Sequence, residues 1–596
     1  MNKNITLNTE KSNTRKAQSF AAGAFVMTIG MIIVKIAGAA FKIPLAYILG
    51  GVGLGYFNAA YSIYNPIYAF ATAGLPIAIS RMVASNVALG RYRDVKRIHK
   101  ISIPLFLTTG LIGLAVMIFG ASFYANITNS PGSIYSIFML APTVLFSCLI
   151  AIYKGYFEGL RNMVPTAVSE IVEAIGKVVF GLSISWVVTE YGMQQFYNKG
   201  TVFGVVCDSA TAAHNAILPF SAAGAVFGIT LGAVAGFVYI FVKYKISSDG
   251  ISEAEIESSH SAHDYKTLFK MLLSISIPIA LSAIVMNLAG AIDSTLVQMR
   301  LHDIMQFAPD VLLKEYQGLI PQQVIKNDTT HIFLAGCFGY MSAVTMVLPT
   351  ITQGFAISAL PNVTAAWVDG VKEKIKKSIE TILKITAIVS FPAGLGLSVL
   401  SHPIMDLIYN TFGKNKQLGE VFISAEIMTI YALGMMLTAV STPICSMLQA
   451  IGRADLPLKI LTCAMAIKIA CNYVLVGIPQ INIQGAGVGT LACYLFVCVS
   501  ALILLCKHTK IKLDWTNIFV KPFLCAVMCA TAAYASNGLL GHIINKKIAT
   551  IVAIMIAVIV YAFTLLLFGL IKAQDLDNIP KLKKFKKILE KYKLIR

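Results

Sequence analysis

About fourteen stretches of this sequence are apolar over a length that crosses a bilayer, and no other feature narrows the possible folds so far. They fall at residues 20–43, 54–86, 99–124, 132–153, 165–189, 217–242, 271–299, 331–361, 379–400, 421–449, 457–478, 485–506, 518–538 and 548–571. A span takes about 20 residues, and a backbone inside lipid must satisfy its own hydrogen bonds, which leaves helices for runs of this length. Only 13% of the 596 residues are charged, about half the share of a soluble globular protein. The expected fold class is an all-α polytopic membrane protein of about 14 transmembrane helices, and a water-soluble enzyme of this size is excluded.

Charge placement orients the chain. With the N-terminus inside, the external loops hold eight basic residues: Lys199, Arg300, Lys314, Lys326, Lys414, Lys416, Lys546 and Lys547. The cytoplasmic segments hold 35 of the 48 Lys and Arg, which puts both termini in the cytoplasm. The formal charge of +20 is thus a matter of topology and indicates no nucleic acid. Residues 1–19 carry four cations and lead into an apolar run with no A-x-A-like cleavage site, so the first span is retained. The tail 572–596 interleaves Leu, Ile and Phe with Lys at helical spacing, as in an amphipathic helix lying on anionic inner-leaflet lipids.

Three landmarks recur in order. Ala37-Gly38-Ala39 returns as Ala289-Gly290-Ala291, Leu75-Pro76 as Leu360-Pro361, and Arg161 with Pro165 as Arg453 with Pro457. They indicate an internal duplication. The expected organisation is a tail (1–19), a six-span lobe (20–245), a cytoplasmic linker (246–270), a second, pseudo-symmetric six-span lobe (271–506), two further spans (507–571) and the basic tail (572–596).

Charges inside spans are costly and mark function or pairing. The first span carries Lys35 and Lys42, seven residues apart and so on one face, roughly 10 Å along the axis. Lys154 ends the fourth span, and the fifth holds Glu170, Glu173 and Lys177, the last two an i, i+4 pair. The lysine excess suits an anionic head group such as a pyrophosphate. In the second half, Asp293, Asn472 and Thr490 lie at similar depth, with Lys468 one turn further in. An acid, an amide and a hydroxyl could hold a sodium ion; an Asp293–Lys468 ion pair is the other reading, and no metal is assigned.

Other chemistry is not found. The sequence has no GxxxxGK[ST] phosphate loop, no H-E-x-x-H and no G-x-S-x-G. No catalytic group and no cofactor are assigned. Gly50-Gly51-Val52-Gly53-Leu54-Gly55 joins two spans outside any βαβ context, and His260 and His263 in HSAHD are expected to be solvated. The eleven cysteines lie mostly in apolar runs without CxxC spacing, as packing residues.

Several segments resemble the stage V sporulation protein B group of the flippase superfamily that also contains lipid II flippases and multidrug extruders. They are GVGLGYFNAAYSIYNPIYAFATAGLPIAISRMVAS (51–85), FKIPL (41–45), YKGYFEGLRNMVPTAVSEIVEAIGKV (153–178), MLQAIGRADLP (447–457) and KIACNYVLV (468–476). The resemblance runs over nearly all spans. It implies a bacterial inner-membrane exporter, two lobes around a cavity, moving a lipid-linked anionic sugar such as lipid II outward by alternating access, alongside cell-wall synthesis enzymes as partners. The better-studied branch uses arginines in the first, second and eighth spans. Lys35 matches the first, the other two have no counterpart, and Lys154 and Lys177 are the expected substitutes. That branch can also carry sodium on the seventh, eleventh and twelfth spans, which Asp293, Asn472 and Thr490 match, but an ammonium at Lys468 would repel it. A multidrug antiporter would want an acid-rich first lobe, and a non-transporting scaffold would need no buried charges.

Overall fold

The structure is a computed structural model describing residues 20–72, 74–246, 251–259, 263–411, 418–453 and 455–570. Residues 1–19, His260 and the basic tail 572–596 lie outside them. The first half comprises α1 (Phe20–Thr72), α2 (Gly74–Ala88), α3 (Tyr92–Ile127), α4 (Ser133–Gly159), α5 (Val164–Lys199) and α6 (Ala210–Ile246), with a two-residue β-hairpin, Thr201–Val202 against Val205–Val206, between α5 and α6. A short α7 (Glu253–Glu257) leads to α8 (Tyr265–Phe307), α9 (Pro309–Glu315), α10 (Gln322–Lys326), α11 (Thr330–Thr345), α12 (Val347–Asp369), α13 (Lys372–Val399) and α14 (Ser401–Tyr409). Then follow α15 (Leu418–Ala450), α16 (Asp455–Leu475), α17 (Gln484–Thr509), a short π-helix at Thr516–Val520, α18 (Lys521–Gly541) and α19 (Lys546–Leu567). The chain is an all-α polytopic membrane protein.

Among the described residues twelve helices are long and apolar enough to cross a membrane, where the sequence shows about fourteen runs. The first of the twelve covers 60 residues, Ile29–Ala88, about three times a span, and takes in two of those runs. Its backbone breaks at Gly50, where φ is 59° and ψ −169°, a conformation that a residue with a Cβ rarely adopts. The seventh run lies in α8, a 43-residue helix that is not among the twelve. The eighth is divided at Met346 between α11 and α12.

Packing repeats across the two halves. α4 contacts α2, α3 and α6, and α5 lies along α6; correspondingly α15 contacts α12, α13 and α17, and α16 lies along α17. α18 and α19 pair with each other and rest on α13 and α14. The turn between α4 and α5 places Arg161 at φ 58°, and that between α15 and α16 places Gly452 at φ 81°. The recurring Arg-Pro landmark therefore marks the same kind of tight turn twice.

The halves meet most closely where α1 bends. Gly51 and Gly55 face α11, whose Gly336 lets the backbones touch and whose Gly339 makes room for the Asn58 side chain. A Cβ at Gly336 would overlap the Gly51 carbonyl oxygen, and one at Gly55 the Ile332 carbonyl. This is close approach through small residues, the usual way for helices to associate in lipid. Around it the Tyr340 hydroxyl donates to the Ala46 carbonyl (2.9 Å), Tyr47 to Ile408 (2.9 Å) and Tyr409 to Tyr340 (3.0 Å). The glycine run is thus a bend and a packing face. The 308–329 insertion covers this end: the Tyr316 hydroxyl donates to Asn482 at 2.5 Å, and burial pushes its pKa well above that of a free phenol.

At the opposite end the linker is docked. Asp94, fully buried, accepts from the His263 backbone N–H (2.8 Å) and its ring Nδ1 (2.6 Å), while Arg91 reaches the other ring nitrogen at 3.2 Å. Arg93 and Arg97 donate to the carbonyls of Ile256, Glu257 and His263. The expectation of a solvated His263 is therefore corrected. A buried carboxylate needs a partner, and Asp94 finds one 169 residues away.

Candidate functional site

Two buried polar clusters stand out, one in each half. The first is built by three helices. After the Gly50 bend, α1 presents Phe57, Tyr61, Tyr64 and Tyr68 at i, i+4, i+7 and i+11, which places the rings on one face. Successive ring centroids are 4.9, 5.8 and 5.3 Å apart. α5 faces this ladder with Glu170, Glu173 and Lys177, and α4 ends beside it with Lys154. Lys177 donates to the Tyr61 hydroxyl at 3.3 Å and lies 4.9 Å from the centroid of Phe41 and 5.6 Å from that of Tyr61. Such cation–π contacts are worth about 2 kcal/mol when desolvated, and they hold the ammonium together with the charge of Glu173 one turn away. The expected Glu173–Lys177 pairing along the helix persists as an electrostatic interaction, with the direct contacts of the ammonium made to the rings.

Lys154 is ion-paired with Glu170 at 3.1 Å, with side-chain exposures of 19% and 29%. Lys42 is half-buried and lines a small cavity with Asn58, Tyr340 and Tyr409 at the meeting of the two halves. It feels the charges of Lys177 and Lys35. Lys35 is exposed. The structure thus brings Lys35, Lys42, Lys154, Lys177 and Glu173 into one electrostatic neighbourhood in which four lysines face three glutamates, Glu158, Glu170 and Glu173. The tyrosine ladder and Asn58 were not singled out from sequence, although the spacing of Tyr61, Tyr64 and Tyr68 was there to be seen.

The second cluster joins α8, α16 and α17. Lys468 Nζ lies 2.6 Å from Asp293 Oδ2, and both side chains are nearly buried, at 12% and 13% exposure. The Asn472 amide donates to the other carboxylate oxygen. Asn472 Oδ1 is buried without a hydrogen-bond partner and lies against the Gly489 backbone, where a Cβ would collide with it. The Thr490 hydroxyl is spent on its own helix, donating to the Ala486 carbonyl at 2.9 Å. A sodium ion does not fit this arrangement. Both Asp293 oxygens are taken by donors, the Thr490 proton is committed to its own helix, and the ammonium already supplies the positive charge. Among the described residues no group of three or more His, Cys, Asp or Glu could hold a metal.

Comparison with known proteins follows the fold. The family model described as "Polysaccharide biosynthesis protein" matches residues 20–304, and that described as "Lipid II flippase MurJ" matches 338–571. The chain is similar to the lipid II flippase MurJ of Bacillus subtilis (strain 168), 23% identical over 496 residues and covering 82% of each chain. It is also similar to stage V sporulation protein B of the same organism, 21% identical over 564 residues, 94% of this chain and 98% of that one. Among solved structures, a lipid II flippase MurJ in an inward closed conformation aligns with a TM-score of 0.59 at 17% identity, over 91% of this chain and 98% of the other. An inward-facing MATE multidrug transporter also aligns with a TM-score of 0.59, at 14% identity, over 82% of this chain and 99% of the other. The two family models cover the chain in succession, with 33 residues between them, and the chain is an all-α multi-pass membrane protein similar in sequence and in fold to polysaccharide-transporter and lipid II flippase proteins.

Proposed function

We propose that this chain is a flippase that carries a lipid-linked anionic sugar, of the lipid II type, outward across the bacterial cytoplasmic membrane by alternating access of two six-span lobes, 20–245 and 271–506. No enzymatic step and no cofactor belong to this reading. The observation that carries it is the cluster of Lys42, Lys154 and Lys177 beside a tyrosine ladder inside the first half. Ammonium groups suit a pyrophosphate, and tyrosine rings offer sugars an apolar face with a polar edge. A carrier of cationic drugs would gain nothing from four lysines, and a scaffold has no use for charges buried in lipid. Lys177→Ala is expected to weaken transport about ten- to a hundredfold, the equivalent of one charge-assisted contact of about 1.5–3 kcal/mol, with normal insertion. Lys35→Ala should act in the same direction. Lys154→Ala should do so too, with an added loss of expression because Glu170 is left unpaired. Normal export of lipid-linked sugar by all three variants at normal expression would refute the proposal.

Sidedness is part of the same reading. Cysteines placed at Asn126 and Asn327 should react with an impermeant thiol reagent on intact cells, and those at Tyr92 and Ser258 only after lysis. Labelling in the reverse pattern would overturn the inside placement of both termini.

A further inference from the structure

We infer that a groove between α3 and α8 is a binding site for one anionic phosphoglyceride of the inner leaflet. The groove has a volume of about 560 Å³ and is lined by Lys100, Ile101, Pro104, Leu105, Thr108, Tyr265, Lys266 and Phe269, within the usual range for a small-molecule site. Its chemistry changes along its length. Lys100 and Lys266 stand at one end, together with Tyr265, over whose ring the Arg97 guanidinium lies at 4.9 Å from the centroid. Below them Ile101, Pro104, Leu105 and Phe269 form an apolar wall. From Lys100 to Thr108 the helix rises roughly 12 Å, the step from head-group level into the acyl region.

The neighbouring cations are already engaged. Arg91, Arg93 and Arg97 hold the linker, whereas Lys100 and Lys266 make no ion pair among the described residues. Both helices begin at this end. The third apolar run begins at 99 and the seventh at 271, so the two ammonium groups sit at the boundary that the Lys and Arg distribution assigns to the cytoplasm. A phosphodiester bridging them would have an acyl chain directly beneath it. Two cations above a lipid-exposed groove favour an anionic head group over a zwitterionic one. The inference rests on that sidedness and on no step of transport, so it can fail or hold independently of the proposed substrate.

The test places a tryptophan in the wall of the groove of the full-length protein, Phe269→Trp, and reconstitutes it in phosphatidylcholine vesicles doped with a lipid brominated on its acyl chains. The three native tryptophans are subtracted with the parent protein. Brominated phosphatidylglycerol is expected to quench residue 269 at several-fold lower mole fraction than brominated phosphatidylcholine. Adding Lys100→Gln and Lys266→Gln should remove that preference, an apparent weakening of about 30-fold, with unchanged quenching by the phosphatidylcholine analogue serving as the folding control. Equal quenching by both lipids, or a preference that survives the double change, would overturn the site. Displacement of brominated phosphatidylglycerol by trace amounts of an isoprenyl pyrophosphate would overturn the phosphoglyceride assignment and make the groove a substrate entrance.

Discussion

Lys468→Met alone is expected to cost about 3–5 kcal/mol of stability, the largest single-residue effect predicted for this protein, because it leaves the Asp293 carboxylate buried without its counter-charge. Asp293→Asn alone should be comparably damaging, since the ammonium 2.6 Å away then has no anion. The double replacement, Asp293→Asn with Lys468→Met, removes both charges and should recover most of the stability while leaving transport uncoupled from any ion gradient. Exchanging the two charges should recover part of the folding loss. Thermal unfolding of the purified variants separates these outcomes. Additive losses in the double variant would show that the pair does not act as a unit. The same geometry predicts the ion dependence. With Lys468 occupying the cation's place, replacing sodium by choline at constant membrane potential should barely change transport. A strict sodium requirement would return Asp293, Asn472 and Thr490 to the role of metal ligands.

Gly336→Leu should abolish turnover while leaving insertion intact. The Gly51 carbonyl occupies the space a Cβ would need, the offending atom is backbone, and the facing helix cannot yield without moving as a body. Overpacking of this kind costs about 1–3 kcal/mol or more, which shifts a two-state equilibrium by roughly 5- to 150-fold. The state with α1 and α11 in contact should therefore be lost in favour of one in which that end is parted. A cysteine at Asn58, which lines the enclosed cavity beside Lys42 and Tyr340, reports the change. In a background without other reactive thiols it should be protected in the parent and labelled by an impermeant reagent in the variant. Equal protection in both would show that the glycine contact is not the closure between the halves.

Much of this architecture was legible because its determinants are local. Span length, the position of Lys and Arg and the recurrence of Leu-Pro and Arg-Pro are read along one chain, and helical period alone places Lys468 and Asn472 on one face. Depth, counted from the charged loops, was enough to align them with Asp293. Contacts between distant segments were not legible. Gly50 and Gly51 differ in nothing visible in the sequence, yet one is a bend at positive φ and the other is pressed against Gly336. His263 looked solvated because its partner, Asp94, lies 169 residues away in the first turn of α3. Tyr61, Tyr64 and Tyr68 carry no distinguishing signal in the sequence, since aromatic residues at helical spacing usually signify packing. Only the arrival of Lys177 from α5 shows that this face holds a cation.

The most direct test of the account is transfer of a fluorescent lipid II analogue in vesicles containing only this protein. A membrane-impermeant reagent that destroys the fluorophore in the outer leaflet measures how much analogue has crossed. The account predicts rapid loss of fluorescence beyond the outer-leaflet half with the parent protein, a rate reduced about ten- to a hundredfold in Lys177→Ala, and little change when choline replaces sodium. A plateau at one half with the parent protein, in vesicles where its folding and insertion are verified, would contradict the assignment of this chain as a flippase for lipid-linked sugars.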